Sequence, residues 1–167
     1  MKNFSQDLTI KGSTAEIEAK VSALRDIMAQ NSLDGIYISK QEHFAWITAG
    51  GDNIVTRFVE DGVCAIFITM KGRYFICNNI ETQRMKDEEV LDQLGFEPLS
   101  MWWYENRTMD FINDLIGDNG AFASDIPLGR ASDANGTLRE LEKVLCENEI
   151  GRYLHLGRVF SKTIESF

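Results

Sequence analysis

Apolar residues near the start of the chain recur at helical spacing. Ile17, Val21, Leu24, Ile27 and Met28 fall at positions i, i+4, i+7, i+10 and i+11, which predicts an amphipathic helix over residues 14–31. Ser13 and Glu16, three apart, form a capping box at its start. The rhythm then shortens. "DGIYIS" reads as a buried strand entered through a turn at Asp34 and Gly35, and "KQEHFAWIT" as a short helix ended by the double glycine that follows. "GVCAIFIT" and "RYFICN" are β-rich runs joined by "MKG", the pattern of a hairpin.

Helical spacing returns in "ETQRMKDEEVLDQLG", where Met85, Val90, Leu91 and Leu94 face inward and Gly95 serves as the C-cap. "FEPLSM" reads as a strand, "RTMDFINDLIGDNG" as a third helix with Met109, Ile112, Leu115 and Ile116 on one face, and "AFASD" as a short strand. Strands alternating with helices imply an α/β fold, with helices layered over a central sheet. The last stretch carries Leu138, Leu141 and Leu145, then Ile150, Tyr153, Leu154, Val159, Phe160 and Ile164. This pattern is still running at the last residue, so a further domain is expected to follow. Residues 1–145 are taken as one domain and 146–167 as a linker helix.

Composition narrows the function classes. The 167 residues carry 17 Lys and Arg against 26 Asp and Glu, a net charge of -9, which a phosphate backbone would repel. Nucleic acid is therefore not an expected partner. The longest apolar run, "GVCAIFI", is too short to span a bilayer, and "MKNFSQDLTIKGS" lacks the apolar core of a signal peptide, so no membrane partner and a cytoplasmic location are expected. Cys64, Cys77 and Cys146 include no CxxC pair and read as reduced thiols, the first two in the core.

The segment "FAWITAGGDN" has the look of a ligand loop, yet its glycines match neither GxxxxGK[ST] nor GxGxxG. A cysteine hydrolase using Cys64 or Cys77 with His43 is conceivable, but His43 reads better as a polar residue on a helix beside a turn. HExxH and CxxC are absent, "KDEE" at 86–89 reads as a solvated helix face, and Asp125 and Asp133 suit turn or cap roles. No catalytic residue and no metal ligand is assigned. Trp102, Trp103 and Tyr104 lie in a row, and consecutive side chains cannot all enter one core. At least one should be exposed, which favours an interface.

"LRDIMAQNSLDGIYISKQEHFAWITAGGDN" resembles the start of the N-terminal domain of the creatinase, prolidase and Xaa-Pro aminopeptidase family of pita-bread metallopeptidases. Trp46, Ile47, Thr48, Ala49 and Gly50 stand where that family has a "YLTG"-like segment, and "CENEIGRYLHLGRVFSKTIE" is similar to its linker into the catalytic domain. The resemblance implies a three-layer, ribonuclease-H-like α/β fold with a mixed central sheet flanked by helices. It also implies a chain without catalysis of its own, whose partner is a C-terminal catalytic domain holding a divalent metal pair through two Asp, one His and two Glu. Within such a metallopeptidase the domain would contribute to a homodimer and to the wall of the active site. Asp52, Asn53 and Arg57 become candidate substrate contacts, with Trp102, Trp103 and Tyr104 at an interface. The alternative is a free-standing α/β module that binds a small ligand or a protein.

Overall fold

Alternation along the central strands builds two cores. In β2 (Asp61–Thr69), Cys64, Ile66 and Ile68 face one side while Ala65 and Phe67 face the other. β1 (Gly35–Lys40) does the same with Ile36 and Ile38 against Tyr37, and β3 (Arg73–Asn78) with Phe75 and Cys77 against Ile76. Strands this apolar on both faces need helices on both. The computed structural model describes residues 14–166.

Three helices cover the first face together with a fourth from late in the chain. α1 (Thr14–Gln30) contributes Ile17, Val21, Leu24 and Met28; α2 (Gln41–Ile47) contributes Phe44 and Ile47; α3 (Asn79–Asp87) contributes Met85. β4 (Glu97–Met101) follows, and α4 (Thr108–Ile116) packs Ile112 on the opposite face. β5 (Phe122–Ser124) and the two-residue β6 (Ser132–Asp133) lead into α5 (Asn135–Glu142), whose Leu138 returns to the first core, and α6 (Glu147–Glu165). The result is a three-layer α/β fold with a mixed sheet in the order β4-β3-β2-β1-β5-β6. β2 is antiparallel to both neighbours, whereas β3–β4, β1–β5 and β5–β6 are parallel.

Several expectations are corrected. The helix expected over 81–95 begins earlier, because the Asn78 side chain caps the N–H groups of Ile80 and Glu81, and it stops at Asp87. Val90 then takes a positive φ of 50° and Gly95 one of 82°, and the resulting turns bury Leu91 and Phe96 where a continuing helix would carry them past the core. Glu89, read as part of a solvated face, is buried. β6 had no sequence signal. The Ser13–Glu16 capping box involves Ser13, which lies outside the described residues.

Gly35 shows why β1 needs a glycine at its start. A Cβ there would lie 2.4 Å from the Phe67 ring, which is fully buried and packed edge-on against Phe122 at 6.2 Å. Gly35→Ala should therefore cost about 1–3 kcal/mol through overpacking. Urea denaturation should show a lower midpoint with an unchanged slope.

Candidate functional site

The loop after α2 is built by local hydrogen bonds. Thr48 Oγ1 donates to the Phe44 carbonyl at 2.6 Å and accepts the Gly51 N–H at 3.0 Å. Ala49 and Gly50 turn the chain with positive φ of 57° and 113°. The Asp52 N–H donates to Glu89 Oε2 at 2.9 Å, and Asp52 Oδ1 accepts the Ile54 N–H at 2.7 Å, an Asx turn. Phe44 and Ile47 are fully buried and Trp46 packs against the same core.

Asn53 serves the sheet directly. β1 and β2 pair regularly from Gly35↔Thr69 to Ile38↔Ile66, then slip so that Lys40 opposes Asp61. Across that gap, Asn53 Nδ2 donates to the carbonyls of Ser39 at 3.2 Å and Cys64 at 2.7 Å, while the Asn53 carbonyl accepts the Val63 N–H. The side chain is 1% exposed. It rests on Gly62, where a Cβ would lie 1.9 Å from Nδ2. Asp52 and Arg57 are exposed, and Arg57 has no hydrogen bond or ion pair among the described residues. Beside Arg57, Phe58 is 99% exposed.

Trp102, Trp103 and Tyr104 follow β4, and all three are more than half exposed. Tyr104 stacks on Trp102 with ring centroids 6.3 Å apart and meets Trp103 edge-on at 5.6 Å. The two candidate groups do not touch through any described hydrogen bond or ring contact, but α3 tethers both. Asn79 Oδ1 accepts the Trp103 N–H at 3.0 Å, and Arg84 reaches the Asp52 carbonyl at 3.4 Å.

Sequence reasoning missed the ion-pair knot beneath α6. Lys20 Nζ donates to Glu16 Oε1, Glu149 Oε1 and the Trp46 carbonyl, each at 2.8 Å, and lies 5.2 Å from the centre of the Trp46 ring. Arg152 closes the knot with two hydrogen bonds to Glu16. Burial raises the Glu16 pKa, but Arg152 and Lys20 outweigh it and bring it to about 2. Only the i to i+4 spacing of Glu16 and Lys20 hinted at this; the partners in α6 are more than 120 residues away in sequence.

α6 otherwise stands clear, with no buried residue and with Ile150, Tyr153, Leu154, Leu156, Val159, Phe160 and Ile164 all exposed. A groove of about 460 Å³ runs between its first turns and α2, lined by Trp46, Leu145, Tyr153 and Leu156 among others. Glu16, Cys146 and Glu149 form the one cluster with metal-ligand spacing among the described residues. Lys20 and Arg152 already occupy its carboxylates, so the donor set does not fit a metal pair. No helix among the described residues is long and apolar enough to cross a membrane.

His43 lies on α2 beside the turn, as expected, and is fully buried there. Its Nδ1 sits 2.5 Å from Glu142 Oε1, a pairing that joins α2 to α5, and neither core cysteine is its partner. Burial lowers its pKa, but Glu142, Asp125 and Glu42 together hold it above the ordinary value. Asp125, expected in a turn or cap role, accepts the N–H groups of Ser39 and Lys40 at 2.9–3.0 Å where β1 enters α2; burial pushes its pKa up against those bonds.

Two titrations follow. A histidine with a raised folded pKa stabilises fully below about pH 6.5 and loses that contribution as pH rises through its folded value. Urea denaturation should show stability declining above pH 6.5, with the decline flattened in His43→Gln. Glu16 has the opposite sign: its contribution is present above pH 4.5 and lost as pH falls toward 2. Hydrogen exchange should report loosening of the first turns of α6 in that acid window. At neutral pH, Lys20→Met should cost about 3 kcal/mol, because Glu16 stays buried with one cation removed.

The comparisons with known proteins agree with this architecture. The Creatinase/Prolidase N-terminal domain family profile matches residues 20–152. Dipeptidase PepE from Mycobacterium ulcerans superposes with a TM-score of 0.66 at 16% identity, over 84% of this chain and 40% of that one. The prolidase from Pyrococcus horikoshii gives 0.52 at 17% identity, over 80% of this chain and 37% of that one. The N-terminal domain of Xaa-Pro dipeptidase from Lactobacillus brevis gives 0.51 at 16% identity, over 72% and 98% respectively. No curated protein sequence matches. The chain thus spans less than half of the PepE dipeptidase and prolidase chains it resembles, whereas nearly all of the Lactobacillus N-terminal domain superposes on part of it. By the extent of its profile match, it belongs to the Creatinase/Prolidase N-terminal domain family.

Proposed function

We propose that this chain is the non-catalytic N-terminal domain of a cytoplasmic, homodimeric Xaa-Pro-type metallopeptidase, whose divalent metal pair and chemistry reside in a C-terminal catalytic domain. Residues 1–145 form the accessory domain and 146–167 the linker helix. The observation that carries this reading is α6, nineteen residues long with no buried residue. Ile150 with Tyr153 and Leu154, and further along Phe160 with Ile164, stand three or four residues apart within each group, and both groups fall on one side of the helix; such a face requires a partner. The knot at Lys20 and Arg152 holds the start of this helix against α1, which fits a rigid arm that positions a second domain.

In this reading the loop carrying Asp52 and Arg57 faces the substrate, with Asn53 holding the loop to the sheet. Arg57 would supply a charge for a substrate carboxylate and would need no other partner to be broken first. Trp102, Trp103 and Tyr104 form the interface patch, since exposed aromatics anchor contacts between chains. A free-standing module that binds only a small ligand leaves the apolar face of α6 unused.

The experiment is to produce the protein encoded by the reading frame extended past Phe167. It should bind two divalent metals through two Asp, one His and two Glu and hydrolyse Xaa-Pro dipeptides, while residues 1–167 alone show no turnover. Arg57→Ala in the longer protein should raise KM about tenfold, the loss of roughly 1.4 kcal/mol of substrate binding, with kcat little changed. A downstream region without that ligand set would overturn the proposal.

A further inference from the structure

Cys64 and Cys77 stand directly opposite one another on β2 and β3. The hairpin turn fixes the type of site they occupy. Thr69 donates its N–H to the Gly72 carbonyl, which makes Thr69/Gly72 a hydrogen-bonded pair. Hydrogen-bonded and non-hydrogen-bonded pairs alternate along an antiparallel ladder. The unbroken register then puts Ile68/Arg73, Ile66/Phe75 and Cys64/Cys77 in non-hydrogen-bonded sites. In such sites the Cα atoms approach to about 4.5 Å, within the roughly 4.4–6.8 Å that a disulfide spans. Both side chains face the same core, and both thiols are free.

The surroundings distinguish the two thiols. Cys77 Sγ lies 3.4 Å from Thr82 Oγ1, which is itself 2.8 Å from Ser100 Oγ at the exposed edge strand. A line of polar atoms thus leads from this thiol towards solvent. Hydrogen bonds from Cys64 and Thr82 hold Cys77 below the usual thiol pKa against its burial, whereas burial pushes Cys64 up. Cys77 is the better nucleophile of the pair, because the thiolate is the reactive form. The Cys64 carbonyl also holds the Asn53 amide, so the pair sits directly behind the loop that carries Asp52 and Arg57.

We propose that Cys64 and Cys77 form an oxidation site at which a hydroperoxide produces a reversible cross-strand disulfide. Cys77 attacks the peroxide oxygen, the O–O bond breaks, and the Cys77 sulfur becomes a sulfenic acid as the alcohol or water leaves. Cys64 then attacks that sulfur, its S–O bond breaks, and water departs with the proton. Two thiol hydrogens and two electrons pass to the peroxide for each S–S bond formed. Cytoplasmic disulfides of this kind are transient and redox-sensing rather than structural.

The test uses Cys146→Ser, which removes the third thiol and places a favoured residue at the N-cap of α6. The folded protein is treated with hydrogen peroxide, quenched, unfolded in denaturant and alkylated. The expected result is an intact mass lower by two hydrogens, no alkylated cysteine, one cross-linked peptide containing Cys64 and Cys77, and full reversal by dithiothreitol. Two alkylated cysteines after treatment, or oxygen added to either sulfur without a cross-link, would overturn the proposal. The wild-type chain mapped the same way should give the same cross-linked peptide.

Discussion

At the end of β1 the sheet divides, and the buried backbone there must still be satisfied. β2 slips out of register after Ile38 and β5 is only three residues long, so neither neighbour can complete the ladder at Ser39. Two side chains complete it. Asp125 accepts the Ser39 and Lys40 N–H groups from one side, and Asn53 donates to the Ser39 carbonyl from the other. Unpaired buried backbone groups are costly, and this one requirement dictates much of what surrounds them. It places the start of α2, needs a glycine at position 62, and draws the loop after α2 back onto the sheet.

The same economy operates at α6. A helix with no apolar burial of its own could leave the body in any direction, but Lys20 is fastened to α1, α2 and α6 at once. Three partners around one ammonium, with Arg152 on the shared carboxylate, replace the hydration that burial removes. The geometry therefore determines which way the apolar face of α6 points. Salt bridges on an open surface contribute little, whereas these converge on a buried Glu16 carboxylate and Lys20 ammonium and specify an orientation.

Much of the architecture was readable in the chain. The hairpin, the first helix, the short helix before the double glycine and the strands at 35–40, 97–101 and 122–124 follow from periodicity and turn residues, which act over a few positions. The extent of α3 is hidden from periodicity because Val90, Leu91 and Leu94 keep helical spacing while serving a turn, and only the shape of the core reveals that Leu91 and Phe96 must both be buried. β6 is too short for any alternation to register. The burial of Glu89 depends on its meeting the Asp52 N–H, a contact across thirty-seven residues.

"FAWITAGGDN" divides along the same line. Its aromatic anchors and its glycine turn are local facts, legible because a positive φ and an apolar spacing need only neighbouring residues. The separate duties of Asp52 and Asn53 are not, since two adjacent polar residues look alike until one of them meets the gap between β1 and β2. His43 and Lys20 belong with Asn53. Whether a polar side chain is solvated or buried with a partner depends on residues far away in the chain, and composition and periodicity carry no information about such pairings.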